Sequence, residues 1–343
     1  MQMLLLPYRF QPRALESFHN LDRVANSNPS EHELQEAMYD FLHNGVLSRI
    51  DERGKRCDDL YQWGLHPHSG APDSALAADD EAFTAKYPLI LPLSVEAPVT
   101  EHALFPAVSA TQSMHTAGLL ITRRRSHQEP HFSEVLQLCR VAMESAALTI
   151  WLLKDPSSNV RRDRCMSEEM EQLEQRKRFL ATSDWEEKRR PERFPQRILA
   201  ENAAYRENYN DILTTVKKEY TYSAPPGFTQ MVRESAQWID DHTPAHDDGE
   251  ITVNGLEAAA RSFYSYGSSF IHGYKWITKY AGGGTIFNLL AEALTVTLNM
   301  VECAACLYEA ASRSPGGARR EECYVPARFE RTITAWSAEL FAT

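Results

Sequence analysis

Two stretches of the chain are apolar nearly all the way round a helix. One is "VLQLCRVAMESAALTIWLL", where Arg140 and Glu144 are the exceptions; the other is "IFNLLAEALTVTLNMVECAACLY". A helix of that kind has no face to give to water, so it belongs at the centre, walled by other helices. The rest of the chain beyond about residue 100 offers those walls. Helical patterns cover roughly 101–122, 131–154, 158–182, 195–220, 226–241, 253–281, 285–312 and 326–341. Between them lie turn-forming runs such as "KDPSS", "SAPPG", "DHTPAHDDGE", "AGGG" and "SRSPGGAR". Strand patterns are almost absent, so the expected fold is all-α, a multi-helix bundle over residues 100–343.

Residues 1–99 read as a mixed, partly extended N-terminal region. "NPSEHELQEAMYDFLHNGVLSRI" forms one amphipathic helix, with Ser30 as N-cap and Glu33 as its capping-box partner. A loop rich in Gly, Pro, His and Asp follows. Then comes "YPLILPLSV", the best strand-like run, whose two prolines reduce it to an edge strand or an extended arm. In "RRDRCMSEEMEQLEQRKRFL" only Met166, Met170, Leu173 and Leu180 keep a narrow apolar stripe. Such a helix lies on the outside or meets a second copy through a short coiled-coil seam. With a similar stripe on 326–341, this predicts a homodimer.

The formal net charge of −11 opposes any broad coating by nucleic acid. Short basic runs remain at Arg123 to Arg125 and Arg161 to Arg164. Six cysteines are too few for a disulfide framework in a chain this long and point to a reducing, cytoplasmic setting. The first ten residues lack the basic region of a signal peptide, and no window reaches about 18 apolar residues, so no membrane span is expected.

Chemistry concentrates on two helices. In "SSFIHGYKW" and the residues before it, Arg261, Ser265, Ser268, His272, Lys275 and Lys279 fall on one stripe. Phe263, Tyr266, Phe270, Tyr274 and Ile277 fall opposite. The stripe is either a plain solvent face or the lining of a polar cleft suited to a phosphate-bearing ligand. Arg140 and Glu144, four residues apart, share a face of a helix that otherwise demands burial. They either pair to fix helix register or converge with His272 on a site. Weaker features are Cys303 and Cys306 as C-x-x-C in an apolar run, the "HTPAHDDGE" loop, and "AGGGT" before a helix. None has the spacing of a zinc, phosphate or dinucleotide motif, so no metal and no cofactor is expected.

"CRVAMESAALTIWLLKDP" followed by "FYSYGSSFIHGYKW" is similar to a group of helical proteins with an Arg-x-x-x-Glu helix and a Tyr-x-x-x-Ser-x-x-x-His helix. These look like relatives of HEPN proteins, found in abortive-infection, toxin–antitoxin and other defence systems, many of them metal-independent ribonucleases. The resemblance covers about residues 131–312. It implies Arg140, Glu144, Tyr264, Ser268 and His272 as site residues, RNA as ligand and a neutralising partner protein. The catalytic HEPN pattern also places an Arg four to six residues before the His; those positions here hold Tyr266, Gly267 and Ser268. Two classes therefore stay open. One is a ribonuclease with His272 as acid/base, Arg140 as phosphate clamp and Glu144 orienting one of them. The other is a non-catalytic interaction bundle in which the same residues are structural.

Overall fold

The computed structural model describes residues 31–67, 70–127, 131–247, 249–280, 285–315 and 324–341. Ser30, His68, Asp248, Gly282 to Gly284 and Cys323 lie outside the described residues. Among those described there is no strand. The helices are α1 (Glu31–Arg56), α2 (Tyr61–Leu65), α3 (Ala75–Lys86), α4 (Pro98–His127), α5 (Phe132–Leu153), α6 (Ser158–Arg189), α7 (Gln196–Glu219), α8 (Phe228–Asp241), α9 (Glu250–Asn254), α10 (Glu257–His272), α11 (Thr285–Ser312) and α12 (Glu330–Leu340).

The two apolar stretches are α5 and α11, and they sit at the centre. α5 packs on α4, α11 and α8; α11 packs on α5, α1 and α12. From Leu289 to Ser312 every residue of α11 except Glu292 is buried. Both helices are long and apolar enough to cross a membrane by length and composition alone. In this fold their apolar surface is spent inside the bundle, most fully in α11.

The first described residues join the same core. Ile50, Trp63, Leu76 and Phe83 are all fully buried in it. α1 lies so close to α4 that a Cβ added at Gly118 would stand 2.7 Å from the Gly54 carbonyl oxygen and 2.9 Å from Cys57 Cβ. The expected edge strand is not there. Pro88–Ile90 forms a 3₁₀ turn, followed by further turns up to α4. Pro88 begins that turn at a position where its missing N–H costs nothing. Pro88 and Pro92 would each leave a gap in a sheet ladder, so the segment instead buries Tyr87 and Ile90 under the helices.

The helical pattern over 253–281 is broken twice. Gly255 and Gly273 take left-handed φ values of 70° and 64°, ending α9 and α10. The Asp240 carboxylate accepts from the backbone N–H groups of Leu256 and Glu257 at 2.6 and 2.9 Å, capping α10. Lys275–Lys279 is a separate 3₁₀ turn. α4 carries Pro106 in its interior. There Thr149 of α5 donates to the Ala103 carbonyl at 2.9 Å, beside the interrupted ladder.

The stripe expected to hold a second copy is used within the chain. Met166, Met170 and Leu173 are buried, α6 packing there on α4 and α3, and Leu180 is half-buried. The 326–341 stripe, with Phe329, Ile333, Trp336 and Leu340, is likewise buried, with α12 packed on α11. Sequence periodicity reveals that a face is apolar but not what covers it.

Candidate functional site

α5 and α10 run antiparallel across one contact. Gln137 donates to the Phe270 carbonyl at 3.2 Å, and one turn on Arg140 donates through Nη1 to the Tyr264 carbonyl at 2.9 Å. The Arg140 guanidinium lies 3.6 Å from the centroid of the Tyr264 ring, and its Nε donates to Glu144 at 2.9 Å. Arg140 is buried and Glu144 half-buried. Burial raises the Tyr264 hydroxyl above its ordinary pKa; Thr229 of α8 and Glu144 also lie within its reach. Three of the expected residues, Arg140, Glu144 and Tyr264, are thus gathered into one cluster tying α5 to α10.

His272 is not in that cluster. It is the last residue of α10, exposed, with its ring 5.5 Å from that of Tyr274. Eight residues separate it from Tyr264, about 12 Å along a helix axis. Arg261 and Ser265 are exposed and Ser268 is half-buried. Arg261 faces Glu257 at 3.7 Å, an exposed pair one turn apart. Lys275 is exposed on the 3₁₀ turn rather than on α10. The polar stripe is therefore a solvent face, broken at Gly273, rather than one wall of a closed cleft.

That face is nevertheless unusual in charge. No Asp or Glu occurs between Glu257 and Glu292, in a chain of net charge −11. Arg261, His272, Lys275 and Lys279 are exposed there. Beside them Tyr274, Trp276 and Tyr280 are 53%, 45% and 54% exposed. Tyr274 belonged to the expected apolar face; the turn at Gly273 swings it out to water.

The most heavily charged buried cluster lies elsewhere. Glu302 of α11 is 1% exposed. Arg56 of α1 binds it in a fork, both contacts 2.6 Å, and reaches Asn299 at 2.8 Å. Arg328 donates to Glu302 at 2.7 Å and to Asp59 at 2.8 Å. His246 stands 3.5 Å from the same carboxylate and 2.8 Å from the Thr332 hydroxyl. Burial alone would raise the Glu302 pKa. The Arg56 charge, with hydrogen bonds from Arg56, His246 and Arg328, outweighs it and holds the carboxyl well below the usual range. Two turns on, Glu309 accepts from the Trp63 indole at 2.7 Å. Sequence reading passed over Glu302 because it stands alone in an apolar run and its cations lie far off in sequence. The only available hint was an acid set deep in the apolar run of a helix with no solvent face.

On the other flank, His102 of α4 pairs with Glu169 of α6, and Gln172 bonds both His102 and Glu168. Among the described residues no group of three or more His, Cys, Asp or Glu side chains is placed to hold a metal. Cys303 and Cys306 are buried, and burial pushes both thiols well up. The "HTPAHDDGE" loop turns His246 inward to Glu302, and Asp247 caps α9 through Ile251 and Thr252. When the chain was compared with protein-family models, curated proteins and solved structures, no match was found.

Proposed function

We propose that the chain is a non-catalytic interaction protein, a HEPN-like helical bundle whose Arg140 and Glu144 are structural. One observation carries this reading: the Arg140 guanidinium is stacked on Tyr264 and bonded to the Tyr264 carbonyl and to Glu144. Catalysis on a phosphate needs a cation and an acid/base group within hydrogen-bond reach of the same atoms. Here the cation is turned inward, and His272 lies about 12 Å further along the helix.

A second reading, an RNA-directed enzyme of the defence type, draws support from the segment 258–291, which holds no acid. Its cations and exposed aromatic rings are the chemistry that binds phosphates and stacks bases. The test is cleavage of total cellular RNA and tRNA by the purified protein, with EDTA present, beside His272→Ala. The interaction reading expects no cleavage by either protein and an unchanged melting temperature in the variant. Cleavage that His272→Ala abolishes, with melting unchanged, would replace it with the ribonuclease reading.

A further inference from the structure

Beyond Leu173, α6 leaves the body of the protein. Between Leu173 and Tyr209 only Glu187 is buried, so the end of α6 and the start of α7 form a projecting hairpin. Its inner seam is polar. Arg206 pairs with Glu187 at 2.8 Å and Asp184 at 3.2 Å, Asn202 bonds Glu187 at 2.7 Å, and Arg176 bonds the Tyr205 hydroxyl at 2.5 Å. With Leu180, Asp184 and Glu187 turned inward, the outer face of α6 carries Gln175, Arg178, Phe179, Trp185 and Arg189, flanked by Thr182 and Glu186, which also border the groove towards α7. Glu186 is half-buried and faces Arg190 at 3.7 Å and Arg193 at 3.8 Å, loose pairs that a closer cation can replace. Gln175, Arg178, Thr182, Trp185 and Arg189 follow one another at alternating steps of three and four residues, the spacing of a helix that pairs with another helix, and Phe179 and Glu186 stand beside them. Phe179 is 68% exposed and Trp185 56%.

This face is complementary to itself in one orientation. Place a two-fold axis across it at Thr182, so that two copies of α6 run antiparallel. Residues equally far on either side of 182 then come level with each other. Arg178 meets the second copy's Glu186, Phe179 comes level with the second copy's Trp185, and Thr182 meets itself. Ala181, Thr182 and Ser183 are small, so the helices can approach closely at the crossing point. A parallel pairing would instead set Arg178 on Arg178 and Glu186 on Glu186. Between Glu174 and Glu207 the arm holds nine Lys or Arg against seven Asp or Glu, a net of +2 (9 − 7). The arm is thus close to neutral, so little net charge opposes a contact between two copies of it. The contact is isologous and closes on itself, as two-fold dimers do.

We propose that the chain forms a homodimer through the outer face of α6, antiparallel about Thr182, with reciprocal Arg178–Glu186 pairs and the Phe179 and Trp185 rings covered. This goes beyond the functional reading above and does not depend on it.

The test is sedimentation velocity on the full chain, with Arg178→Glu, Glu186→Arg and the doubly substituted chain alongside. The wild type should sediment as a dimer. Each single reversal should set like charges opposite each other and raise the dissociation constant by about tenfold or more, while the double variant restores it, because the pair re-forms with its signs exchanged. A second readout needs no charge change. Thr182→Cys should give a disulfide-linked dimer on mild oxidation, and Arg193→Cys, at the hairpin turn, should not. A wild type that stays monomeric at about 100 μM, or a dimer indifferent to both reversals and not linked through Cys at 182, would overturn the proposal.

Discussion

Arg140 of α5 and Tyr264 of α10 hold each other twice: the guanidinium lies 3.6 Å from the ring centroid, and its Nη1 donates to the same residue's carbonyl at 2.9 Å. A pair that uses both the side chain and the backbone of one partner fixes the rotation of α10 as well as its distance. Arg140→Ala should leave that carbonyl and the Glu144 carboxylate without their donor and cost about 2–4 kcal/mol. Arg140→Lys keeps the charge but loses the planar fork and the stacking, and should recover less than half of it. Urea titration measures both; a change within about 0.5 kcal/mol for Arg140→Ala would remove its structural role.

Glu302 is the opposite case, a single acid serving two arginines. Glu302→Gln should take the shared carboxylate from Arg56, which keeps Asn299, and from the partly exposed Arg328, which keeps Asp59, and cost about 1–3 kcal/mol. Glu302→Leu, equally unable to pair, should be no better, because the cations rather than the vacated volume set the penalty.

The same carboxyl sets a pH dependence. Its folded pKa is held below the ordinary 4.5 that applies in the unfolded chain. The unfolded state therefore binds the extra proton first as pH falls. The stabilisation is fully present above about pH 5 and should erode steadily below the unfolded value of about 4.5. Melting temperature followed from pH 7 to pH 3 should fall in that lower range, and the fall should be shallower in Glu302→Gln. A slope unchanged by the substitution would assign the effect to other carboxylates.

Gly118 tests whether α1 belongs to the core. A methyl there would press on the Gly54 backbone carbonyl at 2.7 Å, which has little room to yield. Gly118→Ala should cost about 1–3 kcal/mol despite the better helix propensity of alanine. Gly227→Ala, with nothing within 4 Å, serves as the control.

Cys57, Cys139, Cys165, Cys303 and Cys306 are buried, and burial pushes every one of these thiols up, Cys139 to about 12. A Cys323→Ser chain should therefore resist a thiol reagent in the native state and react at five sites once unfolded, as counted by mass spectrometry. Rapid labelling of Cys303 or Cys306 under native conditions would contradict their placement in α11.

The helical architecture was legible because turn-forming runs separate long strand-free stretches, because a period of 3.6 residues is clear in helices such as α8 and α10, and because α5 and α11 show no solvent face. Arg140 with Glu144 was legible as a pair for the same local reason. What the period does not carry is the partner of a face. The Met166–Leu173 stripe reads the same whether α4 or a second chain covers it, and His272 reads equally as solvent-facing or cleft-lining until Gly273 is seen to end the helix. The Tyr87–Val95 run had strand-like composition, but its prolines could not serve a ladder. Glu302 escaped notice because its meaning lies in Arg56 and Arg328, which local patterns do not connect to it.

Arg56 and Trp63 find their partners, Glu302 and Glu309, 246 residues further along the chain. At translation rates of about 5–20 residues per second, the first helices leave the ribosome about 12–50 seconds before α11 exists to receive them. Through that interval their apolar faces and their arginine are without a home. The order of synthesis thus sets a period in which this chain depends on helpers or on its own solubility, and α11 is the element that ends it.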